Sequence, residues 1–335
     1  TGVQTCALPI YAMKKNFYLL AVLFISSLTV FSACSDDDDN GGGDTEETVK
    51  DVMLDATAYD KWMYFSFKDG TSVAHEIEPV AGTYKGDISG TVMGQDQGTV
   101  TNLKLEVGRI SKDSVSITVD EFSLAGRTIS KFTAGAKIAA DSIGWDLAGG
   151  EMAVSGMTVT PTTGNISLDS INITILIQPT GMPMPITTTY KGIIETRTGI
   201  DETSFNWDIA LHRYDVKTNG ASAVETTESD IKKVTAIPSS GYVADIKTDS
   251  LIIDNSGMMN NKVGYATSNI NEVLNKGIEF SSVPMPPTPA NWTMSNKVYV
   301  IKLKSGEYAK IKFTDYSNDA DVKGHISFDY VYPFK

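Results

Sequence analysis

From about Val49 to the C-terminus, apolar and polar residues alternate with a period of two. Leu103, Leu105 and Val107 alternate with Asn102, Lys104 and Glu106. Val115, Ile117 and Val119 alternate with Ser116, Thr118 and Asp120. Ile171, Ile173, Ile175 and Ile177 share one face, as do Ile326, Phe328, Tyr330 and Tyr332, and Ala309, Ile311 and Phe313 alternate with Lys310 and Lys312. Successive side chains of a strand point to opposite faces, so this pattern predicts half-buried antiparallel strands. Frequent Thr, Val and Ile with regular glycine breaks agree, and the turns recur often enough for barrels or sandwiches. One short helix is predicted. Asn269 with Glu272 resembles a capping box, Ile270, Val273 and Leu274 form an apolar stripe, and Gly277 closes about two turns.

Charge and composition exclude several functions. The net charge of −13 opposes binding to nucleic acid, which needs a positive surface. The two cysteines, Cys6 and Cys34, precede the folded part, which leaves no disulfide and no thiolate cluster within it. His75, His212 and His325 lie far apart and form no zinc-hydrolase spacing. No GxSxG, phosphate-binding loop or dinucleotide fingerprint follows a strand. The expectation is a binding protein and not an enzyme.

The first 48 residues read as targeting segments. Residues 1–12 include TGVQTCALPI, which resembles the in-frame translation of a sequencing adapter joined to a gene fragment. Residues 13–33 read as a lipoprotein signal peptide, with Lys14 and Lys15 before the apolar run Phe17–Phe31. Phe31-Ser32-Ala33-Cys34 resembles a bacterial lipobox, which makes Cys34 the expected lipidation site. In residues 34–48 the run Asp36–Asp39 is followed by Gly41–Gly43, a composition that stays solvated as a tether. An acidic run after a lipid cysteine resembles a surface-export signal, the plain alternative being a spacer. The expected location is the outer membrane, lipid-anchored and surface-exposed, with no other membrane contact.

Composition then shifts twice. Residues 80–194 are rich in Thr, Gly and Ser, lack histidine, and begin and end with Tyr84-Lys85-Gly86 and Tyr190-Lys191-Gly192. Closing a barrel brings its first and last strands together, so the matched ends suggest an inserted β-barrel. Residues 49–79 and 195–335 hold the aromatic clusters and would form one discontinuous domain.

The flanks resemble a known family. The run Asp55 to Phe67 (DATAYDKWMYFSF) is similar to the opening strand of the HmuY family of haem-binding lipoproteins. Asn206 to Asn219 (NWDIALHRYDVKTN), Tyr308 to Tyr316 and Ile326 to Pro333 resemble its later strands, in the same order. The middle block resembles a calycin-like barrel. This resemblance implies a mostly β, antiparallel domain that grips haem between loops and supplies two axial ligands, His in some members and Met in others. The first ligand place reads Ser256-Gly257-Met258-Met259-Asn260, and the second Phe280-Ser-Ser-Val-Pro-Met285-Pro. Where a His-type member has its second ligand this chain has Ser282, three residues before Met285, and Gly220–Ala223 replaces a Gly/Lys-rich stretch of many members. The resemblance thus makes Met258 and Met285 the candidate iron ligands, with Met259 a weaker third. It also implies delivery to a TonB-dependent outer-membrane receptor and host haem proteins as donors.

The residues themselves leave more than one reading open. A thioether is an accepted neutral iron ligand, but a Met is more often a core filler. In an extended segment only one of Met258 and Met259 can face a given side. Met285 sits between prolines that exclude helix and central strand, yet Met182-Pro183-Met184-Pro185 shows the same habit. The three histidines read as structural, and Tyr265 and Trp292 as pocket walls or core aromatics. The competing functions are a surface adhesin or glycan-binding lipoprotein acting through the inserted barrel, and a pocket there for another apolar ligand.

Overall fold

The computed structural model describes residues 47–335 apart from 125, 142–143, 155 and 282–290, and omits the side chains of 280, 281, 291 and 292. The leader, Cys34 and most of the tether lie outside the described residues, as do Ser282 and Met285.

The chain opens with β1 (Lys50–Asp55), β2 (Lys61–Ser66) and β3 (Thr71–Glu76). Eleven strands follow: β4 (Gly82–Val92), β5 (Gln95–Ser111), β6 (Ser114–Val119), β7 (Phe122–Leu124), β8 (Arg127–Ile129), β9 (Phe132–Asp141), β10 (Gly144–Ala148), β11 (Met152–Val154), β12 (Met157–Ser167), β13 (Ser170–Pro179) and β14 (Ile186–Arg197). The chain continues through β15 (Ile209–His212), β16 (Asp215–Thr218), β17 (Ser222–Glu225), β18 (Val243–Ala244), β19 (Ile246–Gly257) and β20 (Lys262–Ile270). It ends with α1 (Glu272–Asn275), β21 (Ile278–Ser281), β22 (Asn291–Met294), β23 (Tyr299–Lys302), β24 (Tyr308–Ser317) and β25 (Lys323–Phe334). The fold is mostly β and antiparallel, as the alternation predicts.

Within the middle block the sheet order runs β10-β9-β6-β5-β4-β14-β13-β12-β11, and β10 also pairs with β12 through Trp145 and Ile166. Eight strands therefore close into a ring. The two Tyr-Lys-Gly tripeptides lie on β4 and β14, with Gly86 facing Gly192. A Cβ on Gly86 would collide with the Lys191 carbonyl, so glycine is what lets these strands meet. Ile171, Ile173, Ile175 and Ile177 are fully buried in the ring's core. A one-residue slip of β13 would expose all four, at roughly 1.5–3 kcal/mol each, which fixes the register.

The flanks build two further sheets, ordered β16-β15-β2-β3 and β1-β25-β24-β23-β17-β18. The four-stranded sheet is buried on both faces at its centre. Trp62, Tyr64 and Ala210 point into the ring's core, whereas Phe65, Ile209 and Leu211 point into the core of the six-stranded sheet. Period two thus divides one strand pair between two cores, and Ile209–His212 reads as an unbroken buried run.

Two expectations need correction. The helix is a single turn, and its N-cap is Asn271, whose side chain accepts from Leu274 N; Asn269 belongs to β20. Lys310, placed on a polar face by its alternation, is fully buried. Its ammonium lies 4.6 Å above the Phe334 ring, donates to the Val234 carbonyl at 2.8 Å, and pairs with Glu47. Lys217 is buried likewise, 4.6 Å from the Trp62 ring, 4.8 Å from Tyr64 and 5.4 Å from Trp207, and pairs with Glu202. Glu202 lies on the segment leaving the ring, so this pair ties that segment to the flanking sheet.

Candidate functional site: a clamped hairpin arm

β19 and β20 form a two-stranded arm, Ile246 pairing with Ile270 at the root and Gly257 with Lys262 near the tip. The tip is a 3-10 turn over Met258–Asn260 closed by Asn261 in the left-handed region (φ 57°), with Asn261 N donating to the Met258 carbonyl at 3.1 Å. Asn tolerates that conformation because its short polar side chain bonds locally. The turn replaces the extended segment expected here. Both thioethers therefore reach solvent, Met258 being 59 % exposed and Met259 95 %. An exposed Met does not fill a core, which removes the ordinary role of the residue at both positions.

The root of the arm is held by a polar clamp. Asp245 accepts from Thr218 N at 2.7 Å, from Thr218 Oγ1 at 2.9 Å and from Asn271 Nδ2 at 3.0 Å. Asn271, wholly buried, also donates to the Val243 carbonyl at 3.0 Å, while its Oδ1 caps α1. One asparagine therefore fastens the arm, the helix and β18 together. Along its length the arm lies on the ring. Leu251, Ile253 and Ala266 are buried in the ring's core cluster, and Trp145 of β10 donates Nε1 to the Tyr265 carbonyl at 3.3 Å.

A cleft of about 970 Å³ opens where arm, ring and flanking sheet meet, lined among others by Ile77, Glu78, Arg109, Ile138, Trp145 and Ile253. Glu78 accepts from Arg109 at 2.9 and 2.8 Å and from the amides of Val80 and Ala81 at 2.9 and 2.8 Å. Burial by itself would raise the Glu78 pKa, but these four bonds outweigh it and hold the carboxyl below its ordinary value. The cleft lining thus carries a neutralised ion pair beside apolar side chains, with Glu76, Lys112, Asp113 and Asp254 also on it.

The second place expected from the sequence springs from β21 and β22, which pair from Ile278–Met294 to Ser281–Asn291. Met285 and Ser282 lie on the connection outside the described residues, and Trp292's side chain is not described either. Tyr265 lies on the arm, half-buried, and offers its carbonyl to Trp145.

The histidines are otherwise engaged. His212 is buried, its Nε2 2.6 Å from the Tyr59 carbonyl and its Nδ1 3.6 Å from Asp215. His75 sits 4.8 Å from the Phe205 ring and 5.5 Å from Tyr64, and burial lowers its pKa. His325 pairs across the ladder with Asp55. Among the described residues, no group of three or more His, Cys, Asp or Glu side chains is placed to hold a metal ion, and no helix is long and apolar enough to cross a membrane.

Sequence reasoning missed Asp245, Gly264 and Trp145, whose roles depend on contacts distant in the chain; the Gly264 break was the one local hint.

Among solved structures, a Bacteroides vulgatus ATCC 8482 protein named as HmuY-like and heme-binding is 22 % identical, with 87 % of this chain and 96 % of that chain covered and a TM-score of 0.46. A protein of Bacteroides fragilis NCTC 9343 named as a lipoprotein is 22 % identical over 87 % of this chain and 93 % of its own, with a TM-score of 0.44. The apo HmuY analog of Tannerella forsythia is 21 % identical over 85 % and 95 %, with a TM-score of 0.43. No curated protein matches the chain. The family described as HmuY protein matches residues 58–330, across both flanks and the ring, and the chain belongs to that family.

Proposed function

We propose that this chain is a surface lipoprotein that binds haem and hands it to a TonB-dependent outer-membrane receptor. The observation that carries the reading is the family match across residues 58–330. The arm supports it, because a clamped hairpin presents Met258 to solvent, where a thioether has no packing role. The donor chemistry fits the group: a thioether is soft, neutral and an accepted axial ligand of haem iron. In this reading Met258 and Met285 hold the iron, with Met259 as the neighbouring alternative. When bound, the haem supplies the iron that the transfer is for. The chain breaks no bond; its residues bind, orient and release.

A thioether carries no proton that competes with iron near neutrality, unlike imidazole. Haem retention is therefore expected to stay level from pH 7 to pH 5.5. The flanks 49–79 and 195–335 form the haem-binding domain in this reading, and 80–194 a calycin-like insert. Host haem proteins are the donors, and Cys34 carries the lipid. Haemin titration of the protein in oxidised and reduced form tests the proposal. A Soret shift that moves again in Met258→Ala and Met285→Ala supports it. No shift in either oxidation state sinks haem binding, and a shift unchanged in both variants sinks the ligand pair. Loss of membrane association in Cys34→Ala is expected, and retention would overturn the anchor.

The cleft favours a second reading, in which a small apolar ligand sits between ring and arm. The inward side chains of the ring, Tyr84, Ile88, Leu105 and Ile117 among them, are fully buried, so such a ligand would bind beside the ring and not within it.

A further inference from the structure

The polar clamp fixes where the arm starts but not where it points. A lone two-stranded hairpin is marginal in water, and the ladder between β19 and β20 is broken by three register shifts. The arm needs a second layer, and the ring supplies it. Leu251, Ile253 and Ala266 enter the ring's core, and the Trp145 indole lies against Gly264. A Cβ at Gly264 would stand 2.8 Å from Trp145 Cζ2 and Cη2 and 2.9 Å from the Asp254 Cβ, closer than such atoms pack. Trp145 is itself held at the seam of the ring, facing Ala140 of β9 and Ile166 of β12. One side chain therefore belongs both to the closure of the ring and to the seat of the arm.

We propose that the ring is a rest that sets the direction of the arm, with Trp145 the positioning residue and Gly264 its seat. The middle block then acts on the ligand site through the arm, touching no ligand. Its consequence for ligand affinity rests on the haem reading; its consequence for the arm does not.

Hydrogen–deuterium exchange of the intact chain tests the rest directly. Trp145→Ala removes the indole, and Gly264→Ala pushes it away from the opposite side. Both are expected to raise amide exchange across 251–266 at least about tenfold, while Val115–Val119 and Ile171–Ile177 stay protected. Trp145→Phe, which keeps a ring but loses the bond to Tyr265, restores most of the protection. Haemin affinity falls about tenfold if the arm is in place a tenth of the time, because apparent dissociation constants scale with the inverse of the competent fraction. The Soret band keeps its position in Trp145→Ala, since the ligands are unaltered, and moves in the ligand variants Met258→Ala and Met285→Ala.

Unchanged exchange across 251–266 in both variants overturns the proposal. Loss of protection throughout the ring in both overturns it too, since Trp145 would then be part of the ring's stability alone. If the unaltered chain takes up no haemin, the haem reading fails, and the exchange result still decides whether the ring is a rest.

Discussion

Changing Glu202 to glutamine tests whether Lys217 needs its charge partner or only its box of rings. The lysine side chain is 7 % exposed and Glu202 39 %. Tyr64 donates to Glu202 at 2.7 Å and accepts from Lys217 at 3.1 Å, and Glu202→Gln keeps an acceptor there while removing the charge. Stranding a buried charge costs about 3–5 kcal/mol when the partner is buried too. Glu202 is more than a third exposed, so solvent screens the pair and the expected loss for Glu202→Gln is about 1.5–2.5 kcal/mol. Lys217→Met removes the ammonium instead. It forgoes the contact with three ring faces, about 2 kcal/mol, and the ion pair, and recovers an ammonium desolvation of several kcal/mol. Its net effect should lie within about 1 kcal/mol of zero. Urea unfolding with an unchanged m-value measures both. Burial lowers the Lys217 pKa from 10.5, and Glu202 opposes that. The cost of the buried charge is then present below the folded pKa and vanishes as pH rises toward 10.5. The deficit of Glu202→Gln is therefore expected to shrink as pH is raised. A Lys217→Met protein less stable than Glu202→Gln at pH 7 would refute the reasoning.

Gly86→Ala drives a methyl into the Lys191 carbonyl where the ring's end strands meet. A loss of about 1–3 kcal/mol is expected, read as a thermal midpoint lowered by several degrees; an unchanged midpoint counts against that closure. Asn271→Ala removes the asparagine's share of the clamp and the helix cap together, leaving the Thr218–Asp245 bonds, and should cost about 2–4 kcal/mol, with added amide exchange in the arm before the six-stranded sheet. Exchange confined to α1 would show that the arm is rooted otherwise. Burial pushes Tyr214, Tyr242 and Tyr299 up to about 12, with Ser295 opposing the shift at Tyr299. Tyrosines in the unfolded chain ionise near their ordinary value of 10.0. The stability these tyrosines contribute is thus full below pH 10 and falls from there toward pH 12, by up to about 1.4 kcal/mol per pH unit for each, and by less for the more solvated Tyr242. A urea midpoint level from pH 9 to pH 11 would contradict this.

Strand faces were legible because burial of one face leaves its period in the chain. Leu103–Val107, Val115–Val119 and Ile171–Ile177 all bury the side that alternation assigns to the core. Lys310 and Lys217 were illegible for the same reason: a lysine in an alternating strand reads as solvent-facing, and the rings and carboxylates around it come from distant segments. The helix cap was misplaced by two residues because Asn269 and Asn271 are both competent caps, and only the clamp at Asp245 selects between them. For the candidate site, Met258 and Met259 were legible as a pair but not their exposure, which depends on the turn at Asn261. Nothing local links Trp145 to Gly264.

The double-faced sheet also dictates an order of events during synthesis. Phe67 finds its partner Asp208 141 residues later, and Glu47 waits 263 residues for Lys310. At about 5–20 residues per second those waits are roughly 7–28 s and 13–53 s. Apart from the β4–β14 and β10–β12 junctions, the ring's strand pairs lie close along the chain, and such local pairings form fastest. Trp62 and Tyr64 pack against that ring, all of whose strands emerge before β15. The middle block is in this sense a nursery for β2, shielding its apolar face during the seconds when an unpaired edge is most open to aggregation.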